Sequence, residues 1–199
     1  MGIVGVPDKT LTLSRIARAA MPGWTNDRPP GVDAGLEETF YWQPPTVTWS
    51  YAVHAVVVEV DAETGRVRLD DYAVAHDCGN VVNPMLVEGQ IHGGAVQGLG
   101  GILCEAITYD ASGQLLSGSF MDYAMPVASE MPDFKIVHMH SPSPLNPLGV
   151  KGVGEGGAVA PPAAVANAVC DAFAGLGLEI NSTPLRPEEI ARLARGLRP

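Results

Sequence analysis

From Thr39 onward, β-branched and aromatic residues dominate the chain, and the run breaks at Asp61-Ala62-Glu63-Thr64-Gly65. That break predicts two strands, residues 51–60 and 66–75, joined as a hairpin. Upstream, Leu11, Leu13, Ile16 and Ala20 recur with Arg15 and Arg18 between them. This spacing predicts a short amphipathic helix over residues 10–20, capped by Thr10 or Thr12. Residues 21–36 carry Pro22, Gly23, Asn26, Pro29, Pro30, Gly31 and Gly35 and read as an irregular connection. Residues 83–106 have few turn signals and predict a long helix entered through Asn83-Pro84. A turn at Asp110-Ala111-Ser112-Gly113 precedes predicted strands at 115–119 and 134–140, and helices are predicted at 162–174 and 187–197. Together these elements predict a mixed α/β fold without internal repeats.

The long predicted helix is rich in the wrong residue. Gly89, Gly93, Gly94, Gly98, Gly100 and Gly101 cost about 5–6 kcal/mol against alanine. Gly89, Gly93, Gln97 and Gly101 recur every four residues, so on a continuous helix they form one narrow stripe holding a single amide. Two readings follow. Either the stripe packs closely on a sheet, or a ligand lies against bare backbone and Gln97 bonds it.

A second glycine concentration, Gly149-Val150-Lys151-Gly152-Val153-Gly154-Glu155-Gly156-Gly157, holds one carboxylate and one ammonium. Glycine serves where backbone must turn sharply or approach a ligand, so the run reads as N–H groups lining a site into which Glu155 projects, or else as a surface hinge. Residues 152–157 formally match the dinucleotide fingerprint GxGxxG, with Glu179 as a downstream acid. That fingerprint needs a strand immediately before it, and Ser141-Pro142-Ser143-Pro144-Leu145-Asn146-Pro147 does not suit a central strand. His138 and His140 are two apart on a predicted strand, half of a metal site with no evident third ligand. No GxSxG surrounds any serine, which argues against covalent hydrolase chemistry.

Composition narrows the classes. Hydrophobic residues make up 46% of 199, enough for a core. The net charge of −10 offers no basic stripe for a phosphate backbone, so nucleic acid is not an expected partner. Apolar runs such as 53–60 fall short of the ~20 residues of a membrane span. The first residues have no cationic and apolar signal pattern, so a cytoplasmic location is expected. Cys78, Cys104 and Cys170 are odd in number and far apart, which fits neither a disulfide framework nor a CxxC site, so no metal ligands are assigned.

Three blocks in order carry a family likeness: Asp77-Cys78-Gly79-Asn80-Val81-Val82-Asn83-Pro84, then residues 88–100 (EGQIHGGAVQGLG), then Lys151-Gly152-Val153-Gly154-Glu155. With residues 120–126 between them and 184–190 at the close, the set resembles the molybdenum hydroxylases, the xanthine dehydrogenase family. The branch most similar is the one called aerobic carbon monoxide dehydrogenase-like. The likeness runs over nearly all of residues 1–199 and is to the C-terminal molybdopterin-binding lobe of the large subunit. It implies that Glu155 is the active-site base, and that Gln97, Lys151, Gly152, Val153 and Gly154 bind the cofactor, a molybdopterin carrying molybdenum and in bacterial members usually the cytosine dinucleotide. It further implies hydroxylation or dehydrogenation of a small aldehyde, purine-like or N-heteroaromatic substrate.

The family's large subunit is several times longer. By the resemblance, the remaining molybdopterin-binding lobe, an iron–sulfur subunit and a flavin (FAD) subunit would be partner chains. The three cysteines do not match the loop that carries a copper ligand in true carbon monoxide dehydrogenases, so carbon monoxide is not claimed as substrate. The competing expectation is an isolated, non-catalytic domain or fragment of such an enzyme, and behind it a dinucleotide-binding module.

Overall fold

The structure, a computed structural model, describes residues 1–22 and 29–197. The chain gathers into two compact units, Met1–Gln43 and Pro44–Pro199. In the first, β1 (Gly2–Ile3) pairs antiparallel with β2 (Val6–Thr10), and α1 (Leu13–Ala20) follows. The helix predicted from residue 10 starts three residues later because Thr10 is taken up in this hairpin, which the pattern did not announce. Its cap is Thr12, whose side chain accepts from the Arg15 N–H at 3.3 Å. The described part of residues 21–36 forms neither helix nor strand; Gly23 and Asn26 lie outside the described residues.

The second unit is built on a three-stranded sheet. β3 (Tyr51–Val60) and β4 (Val67–Asp77) pair antiparallel around the predicted hairpin. Its turn is closed by Asp61, whose carboxylate accepts from the Glu63 N–H at 2.8 Å and the Thr64 hydroxyl at 2.8 Å. Gly65 takes a positive φ of 74° there, and a side chain at this point would overlap the Pro187 carbonyl. α2 (Pro84–Leu103) is capped by Asn83, which accepts from the Leu86 N–H at 3.3 Å.

β5 (Phe134–His138) adds to the other edge of β4, parallel to it, with His76 opposite His138. It ends two residues short of the predicted 140, since the His140 ring turns to Asn80 Oδ1 at 2.6 Å. The strand predicted at 115–119 does not form. Its pairing stops at one bridge, Tyr109 to Leu115, because Ser117 Oγ accepts from the Thr108 N–H at 2.9 Å and no further ladder rung is made. α3 (Pro161–Ala172) and α4 (Pro187–Ala194) complete the unit, the latter three residues shorter than predicted.

Tyr72 and Val74 of β4 meet Ile91, Leu99 and Ile102 of α2, Val165 and Val169 of α3, and Ile190 of α4 in one core. The opposite sheet face presents Val53, Val57 and Val137, each more than half exposed. That face thus keeps exposed valines beside the Lys135–Asp71 ion pair.

Of the glycines of α2, Gly94, Gly98 and Gly100 do the close packing, Gly100 against the Glu105 side chain and Pro126. A Cβ on Gly98 would come within 2.6 Å of the Ala158 carbonyl and 2.8 Å of Pro161, and one on Gly94 within 3.0 Å of Gly157. The partner of Gly94 and Gly98 is the run into α3, not the sheet. Cβ atoms on Gly89, Gly93 and Gly101 would meet nothing within 4 Å among the described residues. Gly98→Ala should therefore lower stability by about 1–3 kcal/mol through overpacking. Gly93→Ala should raise it by about 1 kcal/mol through helix propensity. Chemical denaturation midpoints moving the same way in both variants would contradict this division of the helix.

Candidate functional site

The site is assembled where the glycine loop crosses the end of β4. Gly149 turns with φ 65°, and its carbonyl accepts from the Asn80 and Ser143 N–H groups, each at 3.1 Å. Val150 bridges Gly79, and the Lys151 N–H donates to the Cys78 carbonyl at 2.8 Å. The loop is thus zipped to residues 78–80, the first of the three family-like blocks.

Lys151 points inward. Its ammonium donates to Asp77 Oδ1 at 3.0 Å and to Ser141 Oγ at 2.7 Å, and lies 4.8 Å from the centre of the Tyr51 ring. Asp77 is fully buried and also accepts from the Gly79 N–H at 2.8 Å and the Tyr51 hydroxyl at 3.1 Å. Burial alone would raise its pKa. The bonds from Gly79, Ser141, Lys151 and Tyr51 outweigh that and hold the carboxyl well below the usual carboxylate range.

Beyond Lys151 the loop lifts off. The Gly152 N–H donates to the Thr48 carbonyl at 3.0 Å, and Val153 packs against the core. Gly154 and Glu155 then form an exposed turn, closed by Gly156 N–H to Val153 O at 3.3 Å and Ala158 N–H to Glu155 O at 3.0 Å. The N–H groups of Gly154 and Glu155 donate to no described residue. Beneath, Gly156 leaves room for His76, whose ring a Cβ there would overlap.

The turn stands beside α2. A Cβ on Gly154 would lie 3.9 Å from Gln90 Oε1. Gln97 is exposed and seven residues further along, which is about 10 Å up the same face. Between and around these amides lie the open Gly89, Gly93 and Gly101. Of the sequence-derived residues, Gly152, Gly154, Glu155 and Gln97 are exposed, whereas Lys151 and Val153 turn their side chains inward. Sequence reasoning missed Gln90, His54 and His76. Gln90 carries a signal in hindsight, standing seven residues before Gln97 on the same helix face.

Among the described residues no group of three or more His, Cys, Asp or Glu side chains is placed to hold a metal ion. His138 lies 3.6 Å from Glu88 and His140 bonds Asn80, so the two rings diverge. Among the described residues, the strand that a dinucleotide fingerprint requires directly before Gly152 is absent, since β5 ends at His138. Burial pushes the Cys78 and Cys104 thiols up, away from thiolate reactivity.

Bare helix backbone, N–H groups that donate to no described residue and a carboxylate between glycines lie together at this turn. Comparison with known proteins names a cofactor for the family. The profile of the molybdopterin cofactor-binding domain family matches residues 1–132, and the chain belongs to that family. It is 38% identical over 196 residues to the nicotine 6-hydroxylase large subunit of Paenarthrobacter nicotinovorans, covering 98% of this chain and 24% of that one. It is 36% identical over 174 residues to the carbon monoxide dehydrogenase large chain of Afipia carboxidovorans, covering 87% of this chain and 21% of that one. The crystal structure of quinoline 2-oxidoreductase from Pseudomonas putida 86 superposes with a TM-score of 0.91 at 41% identity, over 98% of this chain and 25% of that one. The chain therefore spans about a quarter of the length of these relatives. The mixed α/β fold is that of a molybdenum hydroxylase large subunit. No described helix is long and apolar enough to cross a membrane.

Proposed function

We propose that residues 1–199 act as the C-terminal molybdopterin-binding part of a molybdenum hydroxylase large subunit and supply its catalytic base, Glu155. The observation that carries this reading is the exposed Gly154-Glu155 turn beside a helix face whose Gly89, Gly93 and Gly101 leave the backbone bare. A planar, phosphate-bearing cofactor fits such a surface, since side chains there would stand in its way. Gln97 offers an amide, and the N–H groups of Gly154 and Glu155 offer donors. Gly152, Val153 and Lys151 hold that loop in place, Lys151 through Asp77.

When bound, the molybdopterin supplies the two-electron chemistry that no side chain of this protein can perform. The protein positions and deprotonates. Glu155 takes the proton from the oxygen destined for the substrate, a general-base role worth roughly 10²–10⁴ in rate. Its flanking glycines keep the carboxylate unobstructed.

The cofactor form we favour is molybdopterin cytosine dinucleotide, with iron–sulfur clusters and FAD on partner chains and a second cofactor-binding lobe completing the cleft in the cytoplasm. The names of the nicotine and quinoline relatives support an N-heteroaromatic substrate over a small aldehyde or a purine. The test is to measure molybdenum and acid-released cytidine monophosphate in the protein purified with its co-eluting chains. Near-equimolar values of both are expected. A well-folded protein with neither would mean a non-catalytic domain.

A further inference from the structure

Glu155 makes no hydrogen bond or ion pair with a described residue through its side chain, and both its neighbours are glycines. Its direction is therefore set by whatever fixes the backbone of the turn. Two histidines on the core face of the sheet reach that backbone from inside.

His54 of β3 is paired in register with Val74, and His76 lies two residues further along β4. The His54 ring sits with Nε2 3.3 Å from the Gly156 carbonyl and Nδ1 2.9 Å from the Tyr72 hydroxyl. A carbonyl can only accept, so Nε2 carries the hydrogen. Burial favours the neutral ring, which leaves a lone pair on Nδ1. The Tyr72 hydroxyl must then donate, and its own burial raises its pKa and keeps that proton in place. The chain of bonds runs one way, from Tyr72 through His54 to Gly156.

His76 adds a second contact. It is fully buried, its ring occupies the space where a side chain on Gly156 would project, and neither ring nitrogen has a hydrogen-bond partner among the described residues. An imidazole placed this way is costly compared with an apolar residue of the same volume. Costs of this kind gather where function constrains the backbone.

We propose that His54 is a positioning residue for Glu155: oriented by Tyr72 and backed by His76, it anchors the carbonyl of Gly156 and so fixes the direction of the base. The proposal deepens the reading of Glu155 given above and rests on it. Neither histidine touches the substrate or the reacting oxygen. Each acts through Gly156, the residue that follows the base.

The test uses the protein purified with its companion chains, as His54→Leu, His54→Gln, Tyr72→Phe and Glu155→Gln variants. His54→Leu removes the donor and should lower kcat by about 10–100-fold with KM little changed, the signature of a misplaced catalytic group. His54→Gln carries an amide N–H in the place of Nε2–H and should restore most of that loss. Tyr72→Phe removes one hydroxyl and keeps the core volume, so it should fold even where His54→Leu does not, with kcat reduced severalfold. Amide hydrogen exchange over residues 153–158 should quicken in His54→Leu and Tyr72→Phe but not in His54→Gln, at unchanged molybdenum content.

Parent-like kcat and exchange in His54→Leu and Tyr72→Phe would overturn the anchor. Equal losses in His54→Leu and His54→Gln would do so too. Full turnover in Glu155→Gln would instead remove the reading of the base, and the exchange data would still decide whether His54 anchors the turn.

Discussion

Glu155→Gln in the complete enzyme should bind molybdenum normally and lose turnover by about 10²–10⁴-fold, the range that a positioned general base contributes. Glutamine keeps the size of the side chain and its place on the exposed turn. The bonds that close the turn, Gly156 N–H to Val153 O and Ala158 N–H to Glu155 O, are main-chain and do not change. What is lost is the ability to take a proton. Metal analysis and steady-state kinetics on one preparation check the prediction, and near-parent kcat with full metal would remove Glu155 from the chemistry.

The second large effect concerns stability. Lys151→Met should destabilise the protein by about 3–5 kcal/mol, since it leaves a buried carboxylate without its counter-charge. The pair is well enclosed, with the Lys151 side chain 11% exposed and Asp77 0%. A second change, Asp77→Asn, should recover part of the loss, because the amide oxygen still accepts from Gly79 and carries no charge. Denaturant unfolding of the parent and the two variants tests this, and a Lys151→Met midpoint close to the parent's would show the pair to be dispensable.

The pH dependence follows from the direction of the Asp77 shift. Its folded-state pKa lies below the unfolded value of about 3.9, so its contribution is complete above that value and is lost as pH falls further. Stability should thus be insensitive to this pair near neutrality and decline in acid. In Lys151→Met the decline should be shallower, as one of the bonds favouring the carboxylate is gone.

The extent to which these features could be read from sequence varied with their range. The β3–β4 hairpin and the start of α2 were legible because Asp61, Gly65, Asn83 and Pro84 act within a few residues of themselves. The parallel placement of β5 was not, because a five-residue strand says nothing of which edge it will join. The glycine stripe of α2 was legible as a stripe, but which glycines pack and which stay open depends on where residues 157–161 cross the helix.

At the site, Glu155 stood out because nothing else in its loop carries a negative charge. Lys151 stood out equally, yet its ammonium turns to Asp77, a partner distant in sequence that no local spacing could indicate. His54 and His76 carry no local signal for the same reason. They converge only when antiparallel pairing brings two strands under a loop that forms far downstream.

The contact between the hairpin and α4 bears on the order of events during synthesis. Gly65 lies against Pro187 with no room for a side chain, and Arg195 donates to the Glu63 carbonyl at 3.1 Å. The hairpin can form as soon as residue 77 has left the ribosome, but its tip cannot reach its final packing until the helix beginning at Pro187 has left it too. Ile190 and Leu185, both buried, are added to the core in the same step. A nascent chain halted before residue 187 would therefore hold its sheet without α4, and protease resistance at the hairpin tip should arrive only once residues 187–195 have emerged.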